Sequence, residues 1–220
     1  MNHPYYPLDA VIANYVPNSS PTLLIVTAFG AMAGLAVVAA YHLTSANARF
    51  IDRFAASWFA LCAFSHVAFE GYYLYHRSEI AGMNTLFAQL WKEYTLSDSR
   101  YLTLDVFTVC VEAITVFAWG PLSLLTLLAI IRDDPARHPS QIVICTAHLY
   151  GVALYYLTNW AEGVSYSRPE FLYYWVYYAG MNAPWVIVPL CKPPTSLPLV
   201  QRYSGAYMGA DRWCPNRAVA

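Results

Sequence analysis

The run from Pro21 to Leu43, PTLLIVTAFGAMAGLAVVAAYHL, decides the fold class. It carries no charged residue, and a helix of this length, at about 1.5 Å per residue, crosses a hydrocarbon core of about 30 Å. No Lys or Arg precedes Arg49. The basic segment of a cleavable signal peptide is therefore missing, and the run is expected to be kept as a span. Outward from it, the 220-residue chain is 58% hydrophobic and only 11% charged, against roughly 25% in a soluble domain. So few charges cannot clothe a soluble surface.

Four further apolar runs follow: Phe54 to Tyr75, Val106 to Ile131, Ile142 to Trp160 and Phe171 to Leu190. Glu70 and Glu112 are the only charged residues inside them; the others lie in connections and tails. The expected fold is all-α, a polytopic membrane bundle of five transmembrane helices. Residues 1–20 form a luminal N-terminal segment, 21–190 the membrane domain and 191–220 a cytoplasmic tail. A net charge of −1 offers no basic face for nucleic acid. Cys62, Cys110, Cys145, Cys191 and Cys214 are odd in number and widely spaced, so neither a disulfide framework nor a zinc site is indicated.

Basic residues set the orientation. Arg77, Lys92, Arg100 and Arg168 fall on one side, and Arg49, Arg53, Arg132, Arg137, Lys192, Arg202, Arg212 and Arg217 on the other. The C-terminus is accordingly expected in the cytoplasm. The Asn18-Ser19-Ser20 sequon lies too near the membrane for ready glycosylation. The Gly30-x-x-x-Gly34 pair is expected to serve packing within the chain first, with pairing of two copies as a homodimer the other use.

Ionisable groups inside spans carry the chemistry, because hydrocarbon penalises them. His66 and Glu70 share a helix face at i, i+4. Glu112, Thr115 and Trp119 share another, and Asn182 lies near Trp185. These groups either satisfy one another as a polar packing network or perform proton transfer on an apolar substrate, with tryptophan faces stabilising a carbocation. A metal is not expected, since His66-x-x-x-Glu70 has no second histidine motif to complete a site. No Gly-x-Ser-x-Gly elbow occurs, and no cofactor is indicated.

The run His66-Val-Ala-Phe-Glu70-Gly71, the loop residues Trp91-Lys92-Glu93-Tyr94 and Asp98-Ser99-Arg100-Tyr101, the segment Phe107 to Thr115 followed by Trp119-Gly120-Pro121-Leu122-Ser123, and Met181-Asn182-Ala183-Pro184-Trp185 closely resemble the emopamil-binding protein family. The resemblance runs in order from about residue 14 to 190 and stops before the tail. It implies a five-helix membrane protein of the endoplasmic reticulum that shifts a sterol ring double bond by protonation to a carbocation and deprotonation. By the same resemblance, His66, Glu70, Glu112, Thr115, Asn182 and Trp185 fall on pocket positions, and Tyr94, Arg100 and Tyr101 on the loop that closes the pocket. Glu112 is expected to face the cation with Asn182 orienting it, His66 and Glu70 to relay protons, and Trp185 with Trp119 to shield the charge.

The chain departs from the family's isomerases at His148, Val152 and Asn159, where a glutamine and two acids are expected. Either these positions have drifted or the pocket is retuned for another substrate. A non-sterol terpenoid olefin therefore stays open as substrate, as does a non-catalytic sterol and amine receptor of the sigma-2 type.

Overall fold

The computed structural model describes residues 3–191. They form helices only, with no strand among the described residues. In chain order these are α1 (Thr22–Leu43), α2 (Phe50–Ala63), α3 (Gly71–His76), α4 (Leu86–Tyr94), α5 (Val106–Ile114), α6 (Gly120–Ile131), α7 (Arg137–Glu162) and α8 (Pro184–Cys191). Three π-helical segments are built into these rods: Phe64–Glu70 joins α2 to α3, Thr115–Trp119 joins α5 to α6, and Leu172–Gly180 precedes α8.

Local chemistry explains several of these boundaries. Asp105 caps α5, its carboxylate accepting from the Thr108 backbone N–H at 2.9 Å. Pro121 lies in the first turn of α6 and has no N–H to donate, so the backbone before it opens into the wider π turn. Gly163 ends α7 at φ +66°, a left-handed C-cap that a residue with a Cβ rarely adopts.

The distribution of polarity is inverted relative to a soluble protein. Leu23, Leu35, Val106, Phe117 and Leu125 face outward, whereas His66, Lys92, Asp98, Arg100, Glu112 and His148 are buried. Apolar outside and polar inside is the arrangement a bilayer selects, since lipid tails accept aliphatic side chains and penalise charge. Thr22–Leu43, Val106–Ile131 and Arg137–Glu162 are each long and apolar enough to cross a membrane. The second apolar run is one unbroken helical rod over 50–76, and the fifth is interrupted at 181–183.

α2 packs against α1 and α6, while α7 lies against α6 and α8. Small residues permit this approach: Ala55, Ala56, Ala60 and Cys62 of α2 are buried with Ala40, Ile130 and Ile144. At the other end, residues 76–105 fold over the helices as a cap. Its centre is an aromatic cluster of Tyr73, Trp91, Tyr101, Tyr155 and Tyr178.

The N-terminal segment is stitched to this cap rather than left loose. Tyr5 Oη donates to Lys92 O at 3.0 Å, and Ser99 Oγ donates to Tyr6 O. Asn18 Nδ2 donates to Gln89 O at 2.9 Å, so the atom that a glycan would need is engaged.

The Gly30 and Gly34 pair is not used as expected. A Cβ built on either glycine meets nothing within 4 Å among the described residues. The pair therefore does not draw α1 against its own chain; the close approach to α2 occurs further along, at Ala40. The expected 191–220 tail, with Cys214 and four of the basic residues counted for orientation, lies outside the described residues beyond Cys191.

Candidate active site

His66 and Glu70 lie on Phe64–Glu70, which faces Thr115–Trp119 across the bundle. His66 Nδ1 is within 2.8 Å of Glu70 Oε2 and 2.9 Å of Oε1. A carboxylate only accepts, so Nδ1 carries the proton, and in the neutral imidazole Nε2 then keeps its lone pair. His66 Nε2 faces His148 Nε2 of α7 at 3.1 Å. The result is a hydrogen-bonded chain from half-buried Glu70 through buried His66 to buried His148.

Glu112 is buried at the end of α5. Tyr101 Oη donates to its Oε1 at 3.0 Å, whereas Oε2 is buried with no hydrogen-bond partner. The Glu70 carboxylate lies close enough to act on Glu112 electrostatically. Burial, and then the neighbouring Glu112 carboxylate, push the Tyr101 phenol well above its ordinary value, so it stays a donor. Two acids and two imidazoles thus meet inside the bundle.

Trp58 and Trp185 wall this group. Their ring centroids are 5.5 Å apart, and each lies 6.4 Å from the His148 ring. Trp185 is also 6.4 Å from His66. Such faces attract a cation.

Gly120 explains how the two rods approach so closely. A Cβ there would stand 2.8 Å from Val67 Cγ2 and 3.2 Å from His66 Cβ. Any larger residue would push the segment that carries His66.

Several expected residues are placed differently. Asn182 Nδ2 donates to Tyr178 O at 2.8 Å and makes no hydrogen bond to Glu112. The group that holds Glu112 is Tyr101 instead; Asn182 lies in the 181–183 interruption after the π segment, where the Tyr178 carbonyl takes its side-chain amide. Trp119 is half-buried and makes no ring contact with His66, whose ring neighbours are His148 and Trp185; the second tryptophan of the wall is Trp58, which lies against His148. The widened π turn before Trp119 breaks the α-helical spacing that would have aligned it with Glu112. Thr115 Oγ1 donates to Val111 O at 2.8 Å.

In the cap, Tyr94 packs against Trp91 and Tyr101. Arg100 is fully buried and paired with Asp98, Nη2 to Oδ2 at 2.7 Å and Nε to Oδ1 at 3.0 Å. Its guanidinium lies 4.9 Å from the Tyr155 ring centre. It therefore fastens the cap to α7 rather than reaching toward His66.

The sequence pattern of the EXPERA family (EXPanded EBP superfamily) matches residues 86–192. The 3-beta-hydroxysteroid-Delta(8),Delta(7)-isomerase of Cavia porcellus is 37% identical over 193 residues, which is 85% of this chain and 84% of that protein. The chain belongs to the EXPERA family.

Other EXPERA relatives are further away or carry different names. A probable 3-beta-hydroxysteroid-Delta(8),Delta(7)-isomerase of Arabidopsis thaliana is 33% identical, covering 85% of this chain and 84% of its own. The isomeliandiol synthase of Melia azedarach is 36% identical over 67% of this chain and 68% of its own. Within this EXPERA chain, His148 and Trp58 are the site members that spacing does not reveal. His148 is visible as a polar residue in the fourth span, but its partner is 82 residues away.

Proposed function

We propose that this chain is an isomerase of the endoplasmic reticulum membrane that shifts a ring double bond in a sterol from the 8 to the 7 position. A buried histidine backed by one carboxylate, set beside a second carboxylate and a tryptophan wall, is the observation that carries this reading. Identity of 31–37% over 85% of the chain to proteins named as sterol isomerases supports it, and no residue arrangement points more strongly to the terpenoid or receptor alternatives.

The chemistry needs one proton in and one proton out. A proton added to one alkene carbon leaves a carbocation at its neighbour, and loss of a proton from the adjacent carbon restores a double bond one position along. Atoms balance and nothing is oxidised. His66 and Glu70 relay the protons, with the Glu70 carboxylate stabilising the imidazolium that forms. Glu112, held by Tyr101, offsets the positive charge of the intermediate, and Trp185 shields it from nucleophiles. In a site closed to water these charges act through a low dielectric and count for more.

The orientation belongs to the same proposal: N-terminus luminal, five spans, C-terminus cytoplasmic, as the distribution of Lys and Arg suggests. The deciding experiment incubates purified protein with a Δ8 sterol in deuterated water. The expected product carries its double bond at the 7 position and one deuterium per turnover; an unchanged sterol, with deuterium absent, would sink the reading.

A further inference from the structure

Cys62 and His66 stand one turn apart on the rod formed by α2 and its π segment, and His148 reaches them from α7. All three are buried, and their sulfur and ring-nitrogen atoms lie within 4.8 Å of one another. The Nε2 atoms of the two histidines are 3.1 Å apart. Two nitrogens at about 2.0–2.1 Å from one tetrahedral zinc are separated by roughly 3.3 Å, so the pair is already close to ligating distance. Glu70 holds His66 Nδ1 at 2.8 Å. A carboxylate behind a histidine fixes the tautomer that leaves Nε2 free to ligate and raises its basicity, the support that metal-binding histidines ordinarily have.

We propose that Cys62, His66 and His148 form a binding site for a divalent cation of the zinc class. The sequence lacks a second histidine near His66, and the fold supplies one from a different helix. One thiolate and two imidazoles select a borderline-soft ion over magnesium or calcium, which require oxygen ligands. On binding, the Cys62 thiol releases its proton, and His148 carries its proton on Nδ1 so that Nε2 ligates. The thiolate and the ion together leave one positive charge, which the Glu70 and Glu112 carboxylates compensate in the interior. A water completes the fourth position.

Metal binding stands independently of the isomerase reading, but its consequence rests on it. An ion on His66 Nε2 takes the lone pair through which the relay would move protons, so zinc should inhibit turnover reversibly.

The test titrates the full-length protein in nanodiscs with Co2+, which reports a thiolate ligand by a sulfur-to-cobalt charge-transfer band. One ion per chain is expected, displaced by Zn2+. Cys62→Ser and Cys62→Ala should both lose the band, His148→Gln should weaken binding at least about a hundredfold, and Glu70→Gln by about 10–100-fold. Zinc should slow the unsubstituted enzyme and spare Cys62→Ser, whose metal-free activity is retained. Absence of a stoichiometric band, or a band that survives the Cys62 and His148 substitutions, overturns the site; zinc that binds without slowing an active enzyme overturns His66 as a ligand. If cobalt binds as expected but metal-free protein exchanges no deuterium, the site stands and the isomerase reading falls.

Discussion

Tyr101 Oη donates to Glu112 Oε1 across 3.0 Å, so a residue of the cap holds a carboxylate of the membrane interior. Both side chains are buried, and Tyr101 is in turn fixed by accepting the Tyr73 hydroxyl on its carbonyl at 3.0 Å. The cap therefore positions the acid from outside the helix that carries it.

Removing that donor should impair chemistry more than binding. Tyr101→Phe is expected to lower kcat about tenfold or more with KM little changed, because a hydrogen bond to a charged group contributes about 1.5–3 kcal/mol. Glu112→Gln should abolish turnover while the protein still binds neutral sterol. Steady-state kinetics with a sterol-binding assay separates the two; a Glu112→Gln variant near full activity would remove this acid from the mechanism.

Gly120→Ala should act through His66. The new methyl would meet Val67 Cγ2 at 2.8 Å, displacing the π segment by a few tenths of an ångström, and misplacement of that order costs rate steeply. A loss of about tenfold in kcat is expected, with partial recovery when Val67→Ala is added. Equal activity of Gly120→Ala and the unsubstituted enzyme would show that the segment yields without moving the imidazole.

Lipophilic tertiary amines, protonated at neutral pH, should bind more tightly than their neutral carbon isosteres, since they present the charge of the intermediate without its reactivity. The advantage should exceed about tenfold and fall in Glu112→Gln. Affinities measured in nanodiscs decide this, and equal binding of amine and isostere to the unsubstituted protein would rule out a cation-stabilising pocket.

Lys92 predicts a pH dependence of stability. Its Nζ donates to Val16 O at 2.7 Å and Asn84 Oδ1 at 3.1 Å, and burial pulls its pKa down to about 8. Between that value and the unfolded value of about 10.4, the unfolded chain holds a proton that the folded chain has lost. Stability from this group is therefore lowest at neutral pH and rises as pH climbs through the window. The difference in melting temperature between the unsubstituted protein and Lys92→Met should grow across pH 8 to 10 in favour of lysine; a constant difference would show that Lys92 titrates normally.

Asp98→Ala should destabilise the cap by about 3–5 kcal/mol, because it leaves the buried Arg100 guanidinium without its carboxylate. Replacing both partners with apolar residues should recover much of the loss. Thermal unfolding in detergent measures both variants, and a single substitution as mild as the double one would mean that water reaches Arg100.

The membrane class, the helical fold and the identity of the interior acids were legible in the sequence because hydrocarbon penalises charge locally. Each residue of Pro21 to Leu43 reports its own preference, and Glu70 and Glu112 stand out by contrast alone. His66 with Glu70 was legible too, since both lie on one helical rod. What tertiary structure decided is which groups meet across rods and in what register. His148 reaches His66, and Tyr101 rather than Asn182 holds Glu112, through contacts between helices that no local spacing encodes. The π segment Thr115–Trp119 changes the period that would align Trp119 with Glu112, and Trp58, against His148, stands in the wall with Trp185. A helix face is a property of adjacent residues; a site shared by three helices depends on how closely Gly120 lets two of them approach.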